Sequence, residues 1–193
     1  MKRSFQVKQL TQLALLLALL ISFTSQSNAA LLVEPVIGYN LGSKIDIEDS
    51  ESYTGGSGGA FGARLGYQNL GFQLGLDYLN SSIDMDDNDF DENVSLSEFA
   101  GFVGFEFPVL LRVYAGYIFS ANGETTFDGG SDVKLSQGTG TKVGVGFTGL
   151  PFIDINLEFR SGKFDSYEAG GIEFNKEVTY QSMMLGLSAP FAF

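Results

Sequence analysis

Apolar side chains recur at every second position over most of this chain, and that regularity excludes a helical fold. From Phe152 to Arg160, Ile153, Ile155, Leu157 and Phe159 alternate with Asp154, Asn156, Glu158 and Arg160. Val109, Leu111, Val113, Ala115, Tyr117 and Phe119 likewise share one phase, against Arg112, Tyr114, Gly116 and Ser120 in the other. A period of two sends the two sets to opposite faces of a β-strand. Followed along the chain, the pattern predicts an all-β protein of eight strands, over residues 32–43, 58–68, 71–83, 94–107, 109–121, 137–148, 152–164 and 176–193.

The connections alternate as strictly as the strands. Tight turns fall at Asn69-Leu70, at Pro108 and at Gly149-Leu150-Pro151, whereas 44–57, 84–93, 122–136 and 165–175 are long and rich in Asp, Glu, Gly, Ser and Asn. An up-and-down antiparallel meander then collects the four long loops at one end. Bacterial transmembrane barrels have this asymmetry, with short periplasmic turns and longer extracellular loops.

A soluble barrel with an apolar interior, as in a lipocalin, satisfies the same alternation, so the outward face has to be argued separately. Three features point the apolar face to lipid. Glycines crowd the polar phase, among them Gly38, Gly42, Gly62, Gly66, Gly75, Gly104, Gly116, Gly144, Gly146, Gly162 and Gly186, as a narrow eight-stranded lumen requires beside each large side chain. Aromatics of the apolar phase gather at strand ends: Tyr67, Phe72, Phe105, Phe107, Phe147, Phe191 and Phe193 toward the turns, Phe61, Tyr78, Phe99, Tyr117 and Phe119 toward the loops. The strands also exceed the five or six residues usual in globular proteins.

Residues 1–29 read as a secretory signal and 30–193 as the barrel. Lys2, Arg3 and Lys8 precede an apolar run from Leu13 to Phe23, and Ser27-Asn28-Ala29 supplies the small residues of a cleavage site after Ala29. Losing those three cations leaves eight basic residues against 23 acidic ones, a formal charge of -15. Such a surface has little to offer the phosphates of nucleic acid, and no nucleic-acid partner is expected. The sequence contains no histidine and no cysteine, which excludes a serine–histidine hydrolase, a cysteine nucleophile and imidazole or thiolate metal sites.

The last strand ends in Leu185, Leu187, Ala189, Phe191 and Phe193, apolar at every second position up to a terminal phenylalanine. This resembles the C-terminal signal of outer-membrane barrels, and with eight strands and asymmetric loops the chain resembles the small OmpA/OmpX-type barrel class. The resemblance implies a monomer in the bacterial outer membrane, with loops extracellular and both termini periplasmic. It implies contact with outer-membrane lipid and lipopolysaccharide, and delivery by the barrel insertion machinery through Leu185, Leu187, Phe191 and Phe193. No counterpart of the peptidoglycan-binding module of full OmpA proteins is expected. The histidine-containing active sites of lipid A-modifying and proteolytic barrels have no match here, so neither enzymatic activity nor a cofactor is expected.

Strand phase assigns the charges of the lumen: Glu34, Asp77, Glu98, Glu106, Asp154 and Glu158 against Arg64, Arg112, Lys142 and Arg160. Charges in so confined a space persist only when paired or hydrated, which predicts a salt-bridge network plugging the barrel. The alternative is a gate in which Arg112 and Arg160, facing Glu106 and Glu158, rearrange to open a small ion path. Asp154 and Glu158 share one strand without a sugar cleft, which excludes a glycosidase pair. Outside the lumen, Asp84-x-Asp86-x-Asn88 matches the first three positions of a calcium loop, but Asp89 replaces the required glycine and Ser95 the bidentate glutamate. Asp84, Asp86 and Asn88 are therefore only weak cation candidates within a solvated acidic loop. The expected function is structural or adhesion-like surface interaction, with a small pore as the alternative.

Overall fold

The computed structural model describes residues 30–47, 52–87, 90–126 and 133–193; the signal segment with its cleavage site, and Asn88, lie outside them. The described residues form a closed antiparallel barrel. Its strands are β1 (Ala30–Ile47), β2 (Ser52–Asn69), β3 (Phe72–Asp87), β4 (Phe90–Phe107), β5 (Leu111–Thr126), β6 (Val133–Leu150), β7 (Ile153–Phe164), β8 (Tyr167–Ala169), β9 (Ile172–Phe174), β10 (Val178–Ser188) and β11 (Phe191–Ala192). They build eight staves. β8 continues β7 in the same register against β6, with Thr139 opposite Lys163 and Leu135 opposite Tyr167. β9 returns along β8 and leads into β10, which pairs with both β7 and β1 and so closes the barrel. Pro190, lacking an N–H, interrupts the final stave before β11 rejoins β1.

Three turns lie together at one end. Leu70 and Gly71 both have positive φ, 51° and 82°, between paired Asn69 and Phe72. This is the type I′ geometry that matches strand twist. The turns are displaced slightly from expectation: Gly71 joins Leu70, Val109 and Leu110 join Pro108, and Leu150 stays in β6 while Pro151 and Phe152 make the third bend.

The larger correction concerns the four long loops, most of which is strand. β1 runs on to Ile47, β2 starts at Ser52, β3 and β4 meet through Asp87 opposite Phe90, and β5 and β6 extend to Thr126 and Val133. The glycine run from Gly55 to Gly59 is part of β2 rather than a loop. The barrel is thus much taller than the bilayer it was expected to match.

Its outer surface shows where lipid would end. Outward residues are apolar from Leu31 to Leu41 on β1 and from Leu111 to Phe119 on β5, both exposed along their length. These are the nine to eleven residues a tilted strand needs to cross. Aromatic pairs mark both margins of the belt: Phe72 with Phe105 at 4.6 Å and Phe105 with Phe107 at 4.8 Å at the turn end, Tyr78 with Phe99 at 4.7 Å toward the loops. Beyond it the outward residues turn polar, with Asn80 donating to Ser97 and Asn93 to Ser82 across β3 and β4.

At that level the interior inverts as well. Bulges in β1, β5 and β6 contribute to it, while β3, β4, β7 and β10 turn Ile83, Leu96, Phe164 and Tyr180 inward without a break in phase. In β1, Asn40 and Ser43 both point inward around an extra Leu41; in β5, Ile118 and Ala121 do so around Phe119 and Ser120; in β6, Gly138 and Leu135 around Gln137 and Ser136, Gln137 having a φ of 59°. Each extra residue shifts the phase by one. Ile45, Ile47 and Leu135 are thereby brought inside, while Lys44, Asn122, Glu124 and Lys134 are left outside. The expectation that Ser120 belongs to the inward polar set fails for this reason.

Candidate functional site

Within the belt, Glu34, Arg64, Asp77, Glu98, Arg112, Lys142, Asp154, Glu158 and Arg160 are all buried in the lumen, and Glu106 is half-buried near the turn end. Each stands on the inward phase of its strand, and facing staves bring the charges within reach. Arg112 donates to both Glu34 oxygens, Nη1 to Oε2 at 2.9 Å and Nη2 to Oε1 at 2.7 Å. Such a fork fixes orientation as well as charge. Arg112 Nη2 also donates to Asn156 Oδ1 at 2.7 Å, and Asn156 passes the chain to Ser188 at 2.8 Å.

Arg64 forms the centre. Its Nε donates to Asp77 at 2.7 Å, Nη1 to Glu34 at 3.1 Å and Nη2 to Glu158 at 2.8 Å. Lys142 Nζ stands 2.5 Å from Asp77 and 3.6 Å from Glu158. Toward the loops, Arg160 bridges Glu158 and Glu98, and the Tyr180 hydroxyl donates to Glu98. The result is one lattice from Asp154 at the turn end to Glu98 at the loop end.

Tyr114, which phase placed inward but chemistry did not single out, is the hub. Its hydroxyl accepts from Arg64 Nη2 at 3.1 Å, and its ring centroid lies 4.4 Å from the Arg64 guanidinium, 5.5 Å from that of Arg112 and 5.8 Å from Lys142 Nζ. A ring face attracts cations, so three like charges share one buried neighbourhood. The ring fits because its neighbour is Gly144, where a Cβ would sit 2.2 Å from ring carbon Cζ. Gly146 clears the same kind of space for Asn156.

The imagined pairing of Arg112 with Glu106 does not form. The two are opposite in register, yet the guanidinium turns to Glu34 and Asp154, and Glu106 accepts instead from Gln68 at 3.3 Å. Glu34 offers both oxygens inside the lumen, whereas Glu106 lies at its wet margin. Arg160 does meet Glu158.

The weak cation candidates lie elsewhere. Asp84 is on β3, where its Oδ1 accepts from Asn93 at 2.5 Å, and Asp86 is paired by backbone with Asp91. Among the described residues no group of three carboxylates converges on a metal-sized point. Leu185, Leu187, Phe191 and Phe193 all face outward on the last stave and are exposed.

No family model matches this chain, and no curated protein does. Solved structures do. Neisserial surface protein A superposes with a TM-score of 0.60 at 15% identity, over 83% of this chain and 97% of its own. Ail, the attachment invasion locus protein of Yersinia pestis, gives 0.58 at 15% identity, over 83% and 98%. Its complex with the heparin analogue sucrose octasulfate gives 0.56 over 83% and 99%. Nearly the whole of each of these chains is matched, and the protein has the fold of the small eight-stranded outer-membrane β-barrels.

Proposed function

We propose that this protein is a monomeric, non-enzymatic barrel of the bacterial outer membrane, closed to ions, whose role is structural or surface interaction at its loop end. The observation that carries the reading is the lumen lattice, in which five buried carboxylates and four buried cations interlock from Asp154 to Glu98. Opening a path means separating buried pairs, at about 3–5 kcal/mol for each partner removed. The strands meanwhile continue past the lipid-facing belt and hold a polar outer wall clear of it. A wall of that kind suits attachment, the property named for Ail. In this reading the loops are extracellular and both termini periplasmic. Outward Leu185, Leu187, Phe191 and Phe193 serve as the signal to the insertion machinery, and the belt meets outer-membrane lipid and lipopolysaccharide.

Single-channel recording tests closure. The chain from residue 30, refolded and verified by its heat-dependent gel shift, is expected to stay silent in a planar bilayer. Reproducible openings that change in Arg112→Ala would establish a pore instead. Attachment is tested by shortening the β8–β9 hairpin, which is expected to reduce adherence of expressing cells while the gel shift persists.

A further inference from the structure

Above Arg160 the filling of the lumen changes character. Leu96, Ala100, Ile118, Leu135, Phe164 and Tyr180 form one buried cluster in which no member exceeds 7% exposure. The Phe164 and Tyr180 rings lie 5.6 Å apart. Each is seated against a glycine of the neighbouring stave: a Cβ on Gly138 would fall 2.4 Å from the Phe164 ring, and one on Gly162 2.5 Å from that of Tyr180. The space left among them is a cavity of about 20 Å³ walled mainly by aliphatic and aromatic side chains, with the Ser43 and Ser182 hydroxyls at its edge. That volume holds one water at most, too little for a hydrated ion. Ions do not enter dry apolar constrictions, because nothing replaces their hydration. The turn end is different, since it is closed by polar side chains, with Gln68 and Glu106 hydrogen-bonded to each other and only half-buried.

We infer that this upper core is a second closure, independent of the charges: a dry stopper that shuts the lumen at the loop end and leaves the lattice reachable by water from the turn end alone. The inference shares its lumen with the plug described above, and Tyr180 belongs to both through its bond to Glu98, but it rests on Leu96, Leu135 and Phe164, which take no part in the charged lattice, so either closure can fail without the other. It also explains why the bulges of β1, β5 and β6 coincide with the upper limit of the lattice. They bring Ala121, Leu135 and the partly buried Ile45 and Ile47 inside, to join Leu96, Phe164 and Tyr180 on strands whose phase is unbroken.

Because the sequence contains no cysteine, a single introduced thiol reports access without interference. Ser182→Cys places one at the level of Arg160, beneath Tyr180, and Gln68→Cys places one at the turn end. Both are refolded into vesicles of zwitterionic lipid and exposed to a membrane-impermeant, charged thiosulfonate from either side. Gln68→Cys is expected to react from the turn side, and Ser182→Cys to react roughly 100-fold more slowly from the loop side, as a buried thiol does. Adding Leu96→Ala and Phe164→Ala is expected to raise the loop-side rate of Ser182→Cys about tenfold or more by admitting water. Equal loop-side rates with and without the two alanines would overturn the stopper. Should that variant lose its gel shift, Leu135→Ala alone serves in its place. Conductance separates the two closures. Openings in Arg112→Ala with the apolar core intact would overturn the stopper, whereas openings in the alanine-loosened variant with the lattice intact would support it and defeat the charged plug.

Discussion

The two halves of this barrel solve the same packing problem with opposite chemistry. In the belt the wall is apolar outside and charged inside; beyond it the wall is polar outside and apolar inside. The lower half uses the arrangement open to a strand in lipid, where the hydrophobic surface must face outward. The upper half is built like a soluble barrel, in which burial of Leu96, Ile118, Leu135 and Phe164 supplies the driving force. Solvent, rather than strand geometry, decides what each face must be.

Substitutions can break this comparison in order of expected effect. The largest falls on Arg64→Met, which takes from Glu34, Asp77 and Glu158 the cation they share and leaves five buried carboxylates against three cations; unfolding in urea is expected to show a loss of about 3–5 kcal/mol. Next comes a matched pair on the outer surface. Leu157→Arg, in the middle of the belt, should cost about 2–4 kcal/mol in a lipid bilayer, whereas Ser82→Arg, equally outward but above the belt, should stay within about 0.5 kcal/mol. Equal costs would show that the belt has been drawn at the wrong height. Gly144→Ala pushes a methyl into the Tyr114 ring and is expected to cost about 1–3 kcal/mol, with the 278 nm tyrosine absorption shifting as the ring leaves Arg64. Smallest is Lys163→Ala on the upper exterior, where Nζ meets Glu177 at 2.8 Å and Asp165 at 3.3 Å. An exposed pair of this kind is screened by solvent and salt, so the loss should be the smallest of the series and should vanish in high salt.

The lower half was legible in the sequence because nothing interrupts its period. Ile153 to Arg160 alternates without a fault, and phase alone assigns Asp154, Asn156, Glu158 and Arg160 to the lumen. Partner choice was less legible. Register puts Arg112 beside Glu106, but the guanidinium reaches across the lumen to Glu34, a contact between strands 78 residues apart. Such reach depends on barrel diameter, which no local pattern encodes. The upper half was hidden by its own construction: at Leu41, at Phe119 and at Gln137 an added residue breaks the alternation, and the strand looks finished where it has only changed phase. The acidic composition of those stretches then reads as loop, although Asp84 and Glu124 are simply the outward residues of a wall in water.

The bulges carry a consequence for how such a molecule changes over generations. Gaining or losing one codon in a strand ordinarily ruins it, because every side chain beyond that point exchanges faces. At the boundary between lipid and water, in β1, β5 and β6, that exchange instead carries Lys44, Asn122, Glu124 and Lys134 to the wet face. A barrel just tall enough for its membrane can therefore grow a water-facing tower by duplicating ordinary alternating segments and inserting a single residue at the join. The height of the tower is then free to vary without any revision of the part that spans the bilayer.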